Sequence, residues 1–202
     1  MFCNKDLLEF IKTSILGNKS HNETIEHMYR CSVIAEEFGN FIGLPKDEIK
    51  ILKISALLHD MGKFFVEPSI LYKEGKLTET EFNHIKKHTD ILYGYDDFCF
   101  DETGIIKEVM TFHHERYDGK GYHNISTKEL SKFVKIMVII DCYDVMSNKR
   151  CYKNYICDMN SIKLELINNI GTQFDDKYTM LFINYLNWKN NKSYLNNFYM
   201  EG

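Results

Sequence analysis

This sequence predicts an all-α fold, a single domain of seven or eight helices, and three observations carry that expectation. Only two prolines and eleven glycines fall in 202 residues, so long stretches run without a helix breaker. Along those stretches apolar residues recur at the 3.6-residue period. No alternation of period 2 runs long enough for a sheet, and the chain holds no repeat and no low-complexity tract.

The elements follow in order. Leu7, Phe10, Ile11 and Ile15 share one helical face, which predicts a short leader helix within residues 1–20. The next helix starts from an Asn22 cap and is expected to stop at Gly39. Pro45 opens a third helix whose last turn delivers His59 and Asp60. Gly62, Pro68 and Gly75 punctuate a loop, and Thr78 then caps a helix through His84 and His88. Residues 104–115 form a fifth helix, closed by the turn-rich run DGKGYHN. Residues 128–148 are the most apolar segment and the expected centre of the core. Two closing helices, 161–171 and 176–187, are separated by Gly171. Residues 21–202 are read as the main domain.

Composition narrows the function. Hydrophobic residues make up 44% and charged residues 27%, the mix of an ordinary globule rather than a disordered chain. Twenty-five basic against 29 acidic residues give a net charge of −4, so there is no basic footprint for duplex nucleic acid. The strictly apolar run Ile136 to Ile140 is far shorter than the roughly 20 residues a membrane helix needs. Asp6 and Glu9 interrupt the N-terminus, which excludes an ordinary signal peptide and predicts a cytoplasmic chain with no membrane partner. The six cysteines have no CxxC spacing and read as buried or incidental thiols.

The chemistry lies with the histidines. Five of them, with three carboxylates, recur at the inner end or inner face of a helix: Glu23, His27, His59, Asp60, His88, His113, His114 and Asp141. Glu23 and His27 stand i, i+4 and leave the same helical face. His59–Asp60 and His113–His114 are adjacent pairs, about 100° apart on a helix, which suits two neighbouring ions better than one. Asp141 interrupts the apolar run VKIMVIIDCYDVM, where an ionised carboxylate needs a cation or strong donors. Together these residues form a nitrogen and oxygen ligand set of the kind that holds Fe, Mn, Zn or Mg at a hydrolytic site.

The motifs on which these residues sit resemble a known family. HDMGK at 59–63 resembles the motif that names the HD metal-dependent phosphohydrolases, and HHERYDGKGYH at 113–123 resembles the HHExxDGxGYP signature of their HD-GYP branch. ETIEH with Arg30, KEGKLTETEF, KHTDILYG, IIDCYDVMSNKRCYK and GTQFDD resemble further stretches of that branch, from about Glu23 to about Leu186. The resemblance implies an HD-type helical bundle that hydrolyses cyclic di-GMP to pGpG, and further to GMP, through a metal-bridging hydroxide. It implies two or three divalent ions, Fe or Mn first, with Zn, Ni, Co and Mg as alternatives. Their ligands would be Glu23, His27, His59, Asp60, His88, His113, His114 and Asp141, with Asp60 bridging two of them and Glu23 serving a third. His84, one turn before His88, competes for that helix's ligand role, but only His88 has the TxxxG spacing after it. Lys63 resembles the lysine on the scissile phosphate, and Arg150 and Lys153 resemble basic residues that hold the nucleotide's phosphates. The same centre acting on another cyclic dinucleotide or a mononucleotide is the nearest alternative. A non-catalytic nucleotide-binding module docked to a diguanylate cyclase or other regulatory protein is a further one.

Three positions depart from the branch. His123 replaces the proline of GYP, Cys151 that of RPY and Asp176 that of FDP. None is a ligand position, so the metal chemistry is expected to survive, with the loop around His123 freed from a fixed φ. The first twenty residues read as a leader and not as a receiver or sensor domain, so a standalone catalytic module is expected.

Overall fold

The structure, a computed structural model, describes residues 21–90, 101–149 and 155–200, the last eight by backbone alone. The predicted leader helix, Arg150, Cys151 and Lys153 lie outside the described residues. Eight α-helices are present among those described: α1 Asn22–Phe41, α2 Lys46–Leu58, α3 Pro68–Leu71, α4 Glu79–Lys86, α5 Ile105–Phe112, α6 Lys132–Ser147, α7 Met159–Asn168 and α8 Asp176–Met200. Short 3-10 turns at Met61–Phe65, Lys87–Thr89 and Thr127–Glu129 join them. No strand occurs among the described residues; two isolated bridges, Arg116 with Ser126 and Ile170 with Phe174, are the only extended pairings there.

Helix α6 is the axis, as its composition predicts. Val134, Ile136, Met137, Ile139 and Ile140 are all fully buried. They pack with Phe38 and Leu52 of α1 and α2, Leu166 of α7 and Phe182 and Tyr185 of α8 in one apolar core. An apolar side chain of this size gains about 1.5–3 kcal/mol on burial, so this layer fixes the helices that carry the site. A smaller cluster of Met28, Leu58, Met61, Ile106 and Met110 lies where α1, α2 and α5 approach the histidines.

Helix ends differ from expectation in instructive ways. Helix α1 runs past Gly39 to Phe41 and is closed one turn later by Gly43, which adopts φ +71°. The Gly43 N–H bonds to Asn40 O at 3.2 Å and the Leu44 N–H to Gly39 O at 2.9 Å, the paired closure that needs a left-handed residue. Asn22 is the first helical residue and not the cap; His21 holds the cap position without capping the helix through its side chain, which instead lies 3.2 Å from the Tyr72 hydroxyl. Pro68, read as a loop marker, instead opens the single turn α3, where its missing N–H costs nothing. Thr78 caps α4 as predicted: its Oγ1 accepts from the Glu81 N–H while Glu81 accepts from the Thr78 N–H. Asp176 takes the first turn of α8, where an acid meets the helix dipole.

Candidate metal centre

Four separate elements deliver the histidines to one place. His27 comes from the second turn of α1, His59 and Asp60 from the end of α2, His88 from the 3-10 turn after α4, and His113 and His114 from the end of α5. The turn carrying Asp60 can reach His88 only because residue 62 is glycine. A Cβ on Gly62 would stand 1.9 Å from the His88 carbonyl oxygen. His27, His59, Asp60, His88 and His113 are at most 3% exposed, while His114 and Asp141 are 23% and 14% exposed and form the open side.

The hydrogen bonds fix the imidazole tautomers. Nδ1 of His59 donates to Ala56 O at 2.8 Å, that of His88 to Ile85 O at 2.7 Å, and that of His113 to Met110 O at 3.0 Å. Main-chain carbonyls only accept, so the proton sits on Nδ1 and each Nε2 presents a bare lone pair. These nitrogens converge, together with Nε2 of His27. His27 Nε2 lies 3.2 Å from His59 Nε2, and His88 Nε2 lies 3.4 Å from His113 Nε2. The facing lone pairs of His88 and His113 in a dry pocket repel unless a cation stands between them.

Asp60 divides its carboxylate between the two pairs. Oδ2 lies 3.5 Å from His27 and 3.4 Å from His59, and Oδ1 lies 3.3 Å from His88 and 3.4 Å from His113. Oδ1 is buried and accepts no hydrogen bond, since neither imidazole has a proton to give it. Asp141 makes a second link, with Oδ1 3.1 Å from His27 Nε2 and Oδ2 3.9 Å from His114 Nδ1. The donors of Asp60, His88, His113 and His114 lie within 4.8 Å of one another. Two half-sites therefore share Asp60: His27, His59 and Asp141 on one side, His88, His113 and His114 on the other. An orphaned carboxylate oxygen and unprotonated nitrogens are a donor set that fits two divalent ions.

Electrostatics agree with that reading. Burial pushes the Asp60 carboxyl up, but Lys63 and His59 beside it outweigh burial and hold it well below its ordinary value. Burial holds His88 and His113 below the ordinary histidine value and His114 well below it, which keeps them neutral, the form that binds metal. His27 moves the other way: burial opposes its charge, but Asp141 and Asp144 raise it.

Behind His27 stands a pair that spacing did not single out. Its Nδ1 donates to Asp144 Oδ2 at 2.7 Å, and Asp144 is gripped by Arg30 through Nε at 2.7 Å and a second nitrogen at 2.8 Å. Asn148 also donates to Asp144 Oδ1, at 3.0 Å. Asp144 stands three residues after Asp141, and Arg30 three after His27. A search for such i, i+3 partners of a candidate ligand would have found both. Tyr122 was likewise missed; its ring lies 4.6 Å from that of His114.

The remaining expected residues divide. Lys63 Nζ is 2.6 Å from Asp60 Oδ2, at the centre. Glu23 is in neither half-site; with Lys63, Tyr72, Lys76, Phe82 and Ile85 it lines an adjoining cavity of about 520 Å³. A second cavity of about 280 Å³ is lined by His113, His114, Tyr122, Asp141 and Arg116. His84 joins neither half-site, so the α4 segment contributes His88, as its TxxxG spacing implies. Cys31 is buried with Sγ 3.5 Å from His27 Nδ1.

A family model described as HD domain matches residues 24–146, the span that holds every half-site residue. The chain belongs to the HD domain family. This HD domain chain is 32% identical over 165 residues to a 3′3′-cGAMP-specific phosphodiesterase 2 of Vibrio cholerae, covering 80% of the chain and 31% of that protein. It is 33% identical over 141 residues to the cyclic di-GMP phosphodiesterase response regulator RpfG of Xanthomonas campestris, covering 68% of the chain and 35% of the relative. It thus spans about a third of the length of these curated relatives. Among solved structures, the HDG"Y"P protein Bd1817 of Bdellovibrio bacteriovorus matches with a TM-score of 0.61 at 15% identity, over 81% of this chain and 52% of that one, which shows the shared fold. Among the described residues no helix is long and apolar enough to cross a membrane.

Proposed function

We propose that the chain is a metal-dependent phosphodiesterase that hydrolyses cyclic di-GMP to pGpG, and on to GMP. One observation carries the reading: a single buried carboxylate, Asp60, faces two histidine pairs whose Nδ1 protons are committed elsewhere. Divalent ions at the half-sites supply the Lewis acidity that phosphodiester hydrolysis needs. The residues do the rest. His59, His88 and His113 are held in the ligating tautomer by carbonyls, and His27 by Asp144. Lys63 presents a cation on the cavity side of Asp60, where charge on a phosphoryl oxygen develops. Glu23 serves a third ion, and Arg150 and Lys153 hold the nucleotide's phosphates. Iron or manganese is the expected metal, because a site rich in imidazole suits them better than it suits Mg²⁺.

A second reading is favoured by the Vibrio relative: the same centre acting on 3′3′-cGAMP. A regulatory protein such as a diguanylate cyclase is the partner expected in either case. The test is side-by-side turnover of the two cyclic dinucleotides by reconstituted enzyme, followed by chromatography of products. Linear pGpG that disappears in Asp60→Asn supports the proposal. Preferential turnover of 3′3′-cGAMP establishes the second reading, and no turnover of either overturns both.

A further inference from the structure

His123 occupies the position where the resembled signature has proline, and the structure gives it contacts that proline cannot make. Its main-chain N–H donates to Glu115 Oε1 at 2.7 Å, and the Ile125 N–H donates to Oε2 of the same buried carboxylate at 2.7 Å. Proline has no N–H for the first of these. The loop is pressed close to Glu115: a Cβ on Gly121 would stand 2.5 Å from the Glu115 Cα. So anchored, the imidazole spans two ligand-bearing elements. Its Nε2 lies 3.2 Å from Thr89 Oγ1, next to His88, and its ring meets Phe112, next to His113, edge-on at 5.4 Å. Thr89 spends its own hydroxyl proton on Lys86 O at 3.0 Å, so Oγ1 accepts and His123 Nε2–H donates. Asp90 Oδ1, 3.6 Å from the same nitrogen, favours that proton too.

We infer that His123 is a positioning residue for the half-site of His88, His113 and His114, bracing the His88 turn against the end of α5 and so setting that half-site's affinity for its ion. The inference rests on the two-ion reading above. It predicts an effect on one ion and not the other, because His27, His59, Arg30 and Asp144 have no contact with the loop among those that hold His123.

The experiment is Mn²⁺ titration of chelator-stripped protein by calorimetry, in wild type, His123→Phe, His123→Gln, His88→Ala and His88→Ala/His123→Phe. Phe keeps the ring against Phe112 without the donor, and Gln keeps a donor at the reach of Nε2. Wild type is expected to bind at least two ions. His123→Phe is expected to weaken one of them about 10–100-fold, the range for loss of an outer-shell partner. His123→Gln should restore most of that affinity. In the His88→Ala background, His123→Phe should change the remaining affinity little, because the ion it influences is already lost. Equal weakening of both ions, unchanged affinity in His123→Phe, or a further loss in the double variant overturns the inference. A wild type that binds no ion at all overturns the two-ion reading along with it.

Discussion

Replacing Asp144 by Asn tests whether the centre depends on a carboxylate that never touches an ion. Asp144 is fully buried and each of its oxygens is shared: Oδ1 accepts from Arg30 Nε and Asn148, and Oδ2 from a second Arg30 nitrogen and His27 Nδ1. The asparagine amide has the same shape, but either way round it sets an NH₂ against two of these donors. A buried donor left unmet costs about 1–3 kcal/mol. Arg30 is 31% exposed and regains water, so the net loss for the metal-free protein is about 2–3 kcal/mol. For a chain of this size that is a fall in Tm of roughly 4–12 °C. His27 also loses the anion that orients it, which is expected to lower the affinity of the His27 half-site for a divalent ion about 10–100-fold. The pH dependence has a definite sign. Burial raises the Asp144 carboxyl, but Arg30 and His27 hold it below its ordinary value. Its contribution is therefore full above the unfolded pKa of about 3.9 and is lost as pH falls through the folded value, so the gap in Tm narrows below about pH 4. Calorimetric scans in chelator and Mn²⁺ titrations measure both effects. A variant with wild-type Tm and wild-type metal affinity would refute the role given to the Asp144–Arg30 pair.

Chelation is expected to abolish turnover, with Mn²⁺ or Fe²⁺ restoring it better than Mg²⁺; full activity with Mg²⁺ alone would contradict the imidazole-rich site. Lys63→Ala is expected to lower turnover roughly 10²–10³-fold with ion content unchanged or higher, since Lys63 competes with a cation for Asp60 Oδ2; loss of metal would make Lys63 structural. Glu23→Ala is expected to remove about one equivalent of metal while the two-ion core persists, and elemental analysis showing two ions in both proteins would count decisively against a third site. The Glu81 side chain is expected to titrate at about 2, held there chiefly by Lys73 and the Thr78 cap, so the stabilisation from the α4 capping box is full above about pH 4.5 and is lost as pH falls through about 2. An NMR titration with an ordinary glutamate midpoint would show that the cap does not hold.

The helices and the ligands were legible for different reasons. Helix α6 announces itself by composition, and the capping box at Thr78 and Glu81 by local chemistry; neither needs knowledge of the rest of the chain. Gly39 misled because the sequence cannot tell a glycine that ends a helix from one inside it, and only the left-handed φ of Gly43 identifies the stop. The half-site residues stood out because charged and imidazole groups on the inner faces of apolar helices must be explained by something they bind. What spacing could not supply is the pairing across 32 residues from His27 to His59, or across 114 from Arg30 to Asp144. Those partners are chosen by packing. Asp144 reads as one acid among several until α1 and α6 are laid together and its Oδ2 comes to 2.7 Å from His27 Nδ1. The same holds for His123, which looks like a lost proline in the sequence. Only when the loop is seated on Glu115 does its imidazole come within reach of Thr89. Local chemistry thus names the atoms that can bind an ion, and the core decides which other atoms hold them there.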